Sequence, residues 1–468
     1  MSNQAVKMVI PVAVLLLLWF IPAPEGLTLK AWHFMAIFMA VVVGLIVEPV
    51  PAALVGFAGV SLVAVLGLMG SAGDNIKWAL SGFSNSVIWL IFAAFMFALG
   101  YKKTGLGKRI SLIMIQYMGK SSLGLGYAVA FSDLVLSPFM PSNTARSAGT
   151  IYPVASNIPL VFGSTPENEP RKLGAYISWV AIASTCVTSS MFLTALAPNL
   201  LAVDMITKGT GHVITWSGWA RIMLPLMLPL FIATPWLVYV IYPPTQKTSP
   251  EAPVWAARQL KELGSITGKE ILMAVLAIIA LLLWIFGGKI NIHSTTAAIA
   301  VVSIMVLTNV ITWDDVISNK AAFNVLIWFA SLVAMASGLK DVGILKWIGN
   351  GAQVYLAPLS PSMLIISILV MFFVLHYFFA STTAHTTALM PIFLAISVKL
   401  IAPEQMIAFS ILLAGSLGLM GIITPYATGP SPMWYGAGYI SQGRWWALGA
   451  IFGALYLAAI IIGSLIFI

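Results

Sequence analysis

Charge is the scarcest ingredient of this chain. Asp, Glu, Lys and Arg make up 8% of its 468 residues, against 60% hydrophobic residues. Soluble domains carry about 25% charged residues, so a soluble enzyme is excluded at once. Acidic residues are rarer still, 14 against 23 basic ones, which leaves a net charge of +9. The bases sit in loops, where the positive-inside rule accounts for them, so the imbalance does not point to nucleic acid. Cysteine is reduced to Cys186, which rules out an internal disulfide and a cysteine metal cluster. It lies in an apolar run, as a small packing residue. Catalytic signatures are missing as well. There is no His-Glu-x-x-His, no Gly-x-Ser-x-Gly, no P-loop and no pair of intramembrane carboxylates. No cofactor or metal is called for, and an enzyme is the least favoured class.

What is present is apolar sequence in continuous runs about as long as a bilayer-crossing helix, not in the alternation of a β-barrel. The class is an all-α polytopic membrane protein. Runs fall at 8–22, 30–48, 52–70 and 83–101, then, after a basic loop, at 121–140 and 145–162, and again at 172–206 and 217–242. A polar stretch, 243–269, reads as a cytoplasmic linker. Beyond it come 270–288, 291–311, 321–339, 362–380, 384–400, 404–436 and 446–468. The first run lacks a small-x-small cleavage site and reads as a retained span; with no organelle presequence, a bacterial inner membrane is the leading address.

Two polar knots interrupt this background. Ser142-Asn143-Thr144 is followed by Arg146, and Ser381-Thr382-Thr383 is followed by His385. The spacing repeats around them: Asn85 to Asn143 and Asn324 to Thr382 are both 58 residues, Trp89 matches Trp328, and Gly100 and Gly105 match Gly338 and Gly343. Agreement of several motifs at one spacing marks an internal duplication, with repeat 1 at 30–242 and repeat 2 at 270–468 after a first helix within 1–29.

If each knot tips a hairpin (121–162 and 362–400) that enters and leaves by one face, each repeat crosses five times. With the first span, the total is about 11 transmembrane helices, and the odd number inverts the second repeat. Placing the N-terminus in the cytoplasm puts 14 Lys and Arg inside and 8 outside, in agreement with that arrangement. The alternative is two ordinary spans joined by a polar turn. In the hairpin reading, two helix N-termini aim their free N–H groups and positive dipole ends at one midplane volume, which suits a molecule with a carboxylate at each end. Breaks at 194–199 and 424–432 interrupt the runs 172–206 and 404–436, bringing Thr194, Pro198, Thr424, Pro425 and Thr428 toward the same volume. Arg146 needs an anionic partner, either Asp133 across the hairpin or a substrate carboxylate. His385, at the equivalent place, is a candidate for the same task, whereas His376 has no counterpart and reads as structural.

On Gly105-Leu-Gly-Lys-Arg-Ile110, Pro141-Ser-Asn-Thr-Ala-Arg146, Phe379-Ala-Ser-Thr-Thr-Ala-His385 and Thr424-Pro-Tyr-Ala-Thr-Gly-Pro430, the chain resembles the divalent anion/sodium symporter family of di- and tricarboxylate transporters. The likeness runs nearly end to end. It is strongest to the branch of bacterial citrate/succinate and tartrate/succinate antiporters and plastid 2-oxoglutarate/malate translocators. The resemblance implies a homodimer, an elevator motion of a transport part against a scaffold, and a substrate site lined by Ser142, Asn143, Thr144, Ser381, Thr382 and Thr383. Sodium-coupled members carry Ser-Asn-Thr at both knots and small-Pro-Pro-Asn at both breaks. This chain has Thr382 at the second knot, and its breaks read Leu196-Ala-Pro-Asn199 and Thr428-Gly-Pro-Ser431. Those departures point to sodium-independent exchange of dicarboxylates, with a sodium- or proton-coupled symporter of the same fold as the alternative.

Overall fold

Apart from one isolated bridge between Ser121 and Thr248, all regular structure is helical among the described residues. The computed structural model describes residues 3–356 and 358–468. Hydrocarbon offers no water to unpaired backbone groups, so so apolar a chain closes its hydrogen bonds inside helices. Nine helices are long and apolar enough to cross a membrane among the described residues. Polar caps fix several starts. Ser71, Thr267 and Thr312 each form a reciprocal capping box with the acid three residues on, Asp74, Glu270 and Asp315.

After Asn3–Phe20, the first half places Leu29–Val47, Ala52–Val65, the short Ala72–Leu80, Ser86–Thr104 and Leu106–Met118. The second half answers with Gly268–Phe286, Ser294–Leu307, the short Trp313–Ile317, Lys320–Asp341 and Ile344–Leu356. The last two helices of each set meet at a glycine in the left-handed region, Gly105 (φ +79°) and Gly343 (φ +85°), where other residues are strained. Residues 106–118, read from the sequence as a basic loop, are therefore helical. Leu106, Leu112 and Ile115 are buried while Lys108 and Tyr117 are exposed, an amphipathic pattern too short to cross a bilayer.

The halves are inverted. Ser86–Thr104 ends where Lys103 pairs with Asp315 (2.5 Å), and its counterpart Lys320–Asp341 starts there. At the other end of the same pair, Asn85 Nδ2 donates to Asp204 (2.9 Å) and Lys340 Nζ to the Lys208 carbonyl (2.8 Å). Gly82 lets these halves approach, since a Cβ there would lie 1.8 Å from the Ala330 carbonyl oxygen.

Both knots lie at the turns of helical hairpins. The first leaves the surface at Ser122, whose N–H donates to Lys247 O (3.1 Å), and returns at Arg171 and Lys172, whose carbonyls accept from Thr245 (3.0 Å) and Gln246 (3.1 Å). One strap, residues 245–249, thus holds both ends of the first hairpin on one face. The second hairpin descends along Pro361–Val374 and returns along Thr382–Leu400, which packs on Ile344–Leu356 at Gly349.

The stretch 243–269 is not a plain linker. It contains the helix Glu251–Leu263, which packs on Leu106–Met118. Its far end is clamped by Arg109, which donates to Gly264 O (3.0 Å) and pairs with Glu270 (2.5 Å). Lys102, Lys120, Arg171, Lys247 and Lys320 make this the basic face. At the centre lies Gly174–Met191, buried along its whole length and packed against Ser122–Leu136, Trp216–Ile241 and Met406–Leu419.

Candidate binding site

Each tip is shaped by its own residues. In the first, Pro138 and Pro141 end the descending arm, because proline supplies no N–H and crowds the preceding turn. Ser142 Oγ then accepts from the Ala145 N–H (3.2 Å). The chain resumes as a wide π-type turn, Thr144–Ile151. Pro153 cannot return a hydrogen bond to Gly149, and Thr150 Oγ1 donates instead to Ala145 O (3.0 Å). Such widened turns recur at functional sites. In the second tip, Ser381 caps Thr382–Leu400 by accepting from the Ala384 N–H (3.4 Å), and the Thr386 and Thr387 hydroxyls donate back to the Thr382 and Thr383 carbonyls (both 2.7 Å).

The two knots meet at a single cavity of about 860 Å³, lined by Ser142, Asn143 and Thr144 from one side and Ser381, Thr382 and Thr383 from the other. Pro198 of the first break and Gly429 of the second complete the floor, and Phe95, Trp328 and Phe329 of the crossing helices form an apolar wall. Toward the basic face the lining includes Lys102, Lys320, Glu48 and Asp315. Asp315 is already engaged, and its carboxyl is held down at about 2, first by the hydrogen bond from Lys103 and then by the Thr312 N–H. At the tips themselves the polar groups are hydroxyls, one amide and the positive ends of helices. These are donors for anionic oxygens with no fixed side-chain charge in contact.

Six of the thirteen candidate residues lie outside this lining. Arg146 is fully buried, 0% exposed, and all its contacts are within the protein. Its Nε donates to Asp133 (3.0 Å), Nη1 to the Met140 and Ala195 carbonyls (both 2.8 Å), and Nη2 to Ser189 (3.0 Å). Thr185 and Thr188 also donate to the Asp133 carboxylate. A guanidinium has five donors in a rigid fork, and the protein occupies this one, so Arg146 braces the first tip against the first break. His385 is likewise buried, packed against Phe372 (4.5 Å), Phe379 (5.2 Å) and His376 (4.9 Å), and neither ring nitrogen has a protein partner among the described residues.

The repeat-equivalent of Arg146 in contact, though not in sequence position, is His376. Its Nε2 lies 2.8 Å from the Ala427 carbonyl of the second break, as Arg146 lies against Ala195 of the first. Thr194, Thr424, Pro425 and Thr428 are behind the lining rather than in it. Thr194 Oγ1 donates to Pro138 O (2.6 Å), Thr424 Oγ1 accepts from the Tyr426 N–H (3.3 Å), and Thr428 Oγ1 accepts from Asn143 Nδ2 (2.7 Å). That last bond joins the first knot to the second break. Gly429, missed in the sequence, belongs with it: a Cβ there would fall 1.8 Å from Thr144 Oγ1. A glycine between Thr428 and Pro430, within the second break, was the available signal.

With that geometry in view, comparison with known proteins adds a family. A family model described as the sodium:sulfate symporter transmembrane region matches residues 2–467. The chain belongs to that family. Among curated relatives, the L-tartrate/succinate antiporters of Shigella sonnei (strain Ss046) and Escherichia coli (strain K12) are each 44% identical over 480 residues, covering 99% of this chain and 98% of theirs. Among solved structures, the YdaH transporter of Alcanivorax borkumensis superposes with a TM-score of 0.56 at 15% identity, over 88% of this chain and 97% of its own. MtrF of Neisseria gonorrhoeae gives 0.56 at 14%, over 100% and 94%. At such low identity these two speak for the helical membrane fold alone.

Proposed function

We propose that the protein is a sodium-independent antiporter that exchanges C4 and C5 dicarboxylates, of the succinate, malate, tartrate or 2-oxoglutarate kind, across a bacterial inner membrane. The observation that carries this reading is the meeting of two inverted hairpin tips, each with hydroxyl or amide donors, in one cavity. Such a pair matches a short chain with a carboxylate at each end. The names of the curated relatives, L-tartrate/succinate antiporters, supply the same substrate class.

Arg146 supports exchange without sodium. Carbonyls of the Met140 and Ala195 type are ligands for a hard cation. Here a guanidinium already holds both carbonyls. The guanidinium occupies that place permanently and Asp133 balances its charge, so no coupling ion enters there; the exchange itself rests on the antiporter names of the relatives. The candidate site then comprises Ser142, Asn143, Thr144, Ser381, Thr382, Thr383 and Pro198 in contact with substrate, and Arg146, His385, Thr194, Thr424, Pro425 and Thr428 behind them.

The basic face is the cytoplasmic one by the positive-inside rule, which puts the N-terminus inside and opens the cavity inward. Both hairpins and both broken helices are hydrogen-bonded into one body, and we assign it as the part that moves, elevator-fashion, against the crossing helices of a homodimeric scaffold. Purified protein in liposomes tests the proposal. Labelled succinate should enter only vesicles preloaded with malate, at equal rates in sodium and in potassium. Uptake into empty vesicles driven by a sodium gradient would make the protein a symporter.

A further inference from the structure

Outside the cavity, one cluster of side chains lacks a role in transport. At the end of Trp216–Ile241, Arg171 stacks on the Tyr242 ring (3.9 Å from Cζ to the ring centre), and Arg444 approaches the same ring (5.8 Å). One turn back, Lys247 sits over Tyr239 (4.5 Å). Cation–π contact holds the three charges in place without neutralising any of them. None of them forms an ion pair among the described residues, and the neighbouring Glu169 is engaged by Lys172 (3.0 Å). Arg444 also lies in the first turn of Gln442–Phe467, where the helix adds positive potential of its own.

The cluster borders the apolar surface of the protein. Trp236 and Val240 on one helix are 51% and 55% exposed, and Ile451 on the other is 44% exposed. Three uncompensated cations at the end of two apolar helices match a molecule with a phosphate at one end and acyl chains at the other. Basic pockets between membrane helices bind such headgroups on the cytoplasmic side, and an arginine fork suits phosphate oxygens. We propose that Arg171, Arg444 and Lys247 form a binding site for the phosphate headgroup of an anionic phospholipid. The argument is independent of which anion the central cavity carries.

Thermal unfolding of the full-length protein in neutral detergent tests it, with phosphatidylglycerol, phosphatidylcholine or inorganic phosphate as the added probe. Phosphatidylglycerol should raise the midpoint by a few degrees over phosphatidylcholine, as a ligand of the folded state does. The K247Q/R444Q variant should lose most of that increment while keeping the wild-type midpoint in phosphatidylcholine. If the double variant does not fold, R444Q alone, remote from the hairpin tips, carries the same test. An increment that survives the substitutions overturns the site. So does an equal increment with inorganic phosphate that the substitutions abolish, because the cluster would then be a free-anion site.

Discussion

At the scale of single residues, the decisive pair is Arg146 and Asp133. Both are buried, and the carboxylate is bound by two threonine hydroxyls besides the guanidinium. Removing one partner of such a pair strands the other charge, at a cost of about 3–5 kcal/mol. Arg146→Gln should therefore lower the thermal midpoint sharply, and Arg146→Lys should not restore it, since an ammonium cannot reach Asp133, Met140 O, Ala195 O and Ser189 together. A midpoint unchanged in Arg146→Gln would place the guanidinium elsewhere. Gly429 is the second informative position. Gly429→Ala drives a methyl into the Thr144 hydroxyl, an overpacking penalty of about 1–3 kcal/mol. Adding Thr144→Ala should recover part of the lost stability in the same unfolding assay, although the Thr144 Cβ, 3.1 Å away, keeps the fit tight.

At the scale of elements, the hairpins, the breaks and the duplication were legible because prolines and clustered hydroxyls stand out in so apolar a chain. Their physical meaning is local: a proline stops a helix and a serine caps one wherever they occur. What resisted reading depended on partners distant in sequence. Residues 106–118 and 251–263 looked like polar connections because each buries its apolar stripe against the other. Arg146 and His385 occupy equivalent places after their knots, yet the acid that claims Arg146 is Asp133, on the opposite arm. In the second hairpin, His376 takes the corresponding break carbonyl. Symmetry of spacing did not carry over into symmetry of contact. One element-level contact is open to titration. Lys103 and Asp315 tie the end of Ser86–Thr104 to the short helix Trp313–Ile317 that precedes Lys320–Asp341, and the Asp315 carboxyl is depressed from 3.8 to about 2, mainly by Lys103. A depressed acid contributes stability above its unfolded value and loses it as pH falls through the folded one. The midpoint difference between wild type and Lys103→Met should therefore be constant from pH 8 to about 5 and shrink between about 4 and 2. A difference that instead peaks near neutral pH would assign the coupling to another group.

At the scale of the whole molecule, the two faces are closed unequally. Toward the basic face, the tips and breaks are separated from the crossing helices by the 860 Å³ cavity, with Lys102 and Lys320 at its mouth. Toward the opposite face the same partners touch. Asp204, which also pairs with Lys208 (2.8 Å), accepts from Asn85, and Lys340 reaches the Lys208 carbonyl. If the protein works by alternating access as proposed, these contacts break when the site opens the other way, so they bias the carrier toward the orientation seen here. A half-exposed hydrogen bond or ion pair is worth roughly 1 kcal/mol or less, which corresponds to about a fivefold change in the ratio of the two orientations. A reporter cysteine at Ser318, in the cavity lining, reads that ratio, since the native Cys186 is buried and silent. Labelled from the basic face with a membrane-impermeant thiol reagent, Ser318→Cys should react more slowly once Asp204→Ala is added, by at most the roughly fivefold change in the ratio and by less the more the orientation seen here dominates. The ratio of external to internal half-saturation for succinate should fall by a similar factor, because more carriers then present their site outward. Equal labelling with and without Asp204 would mean that packing alone, rather than these polar contacts, sets the resting orientation.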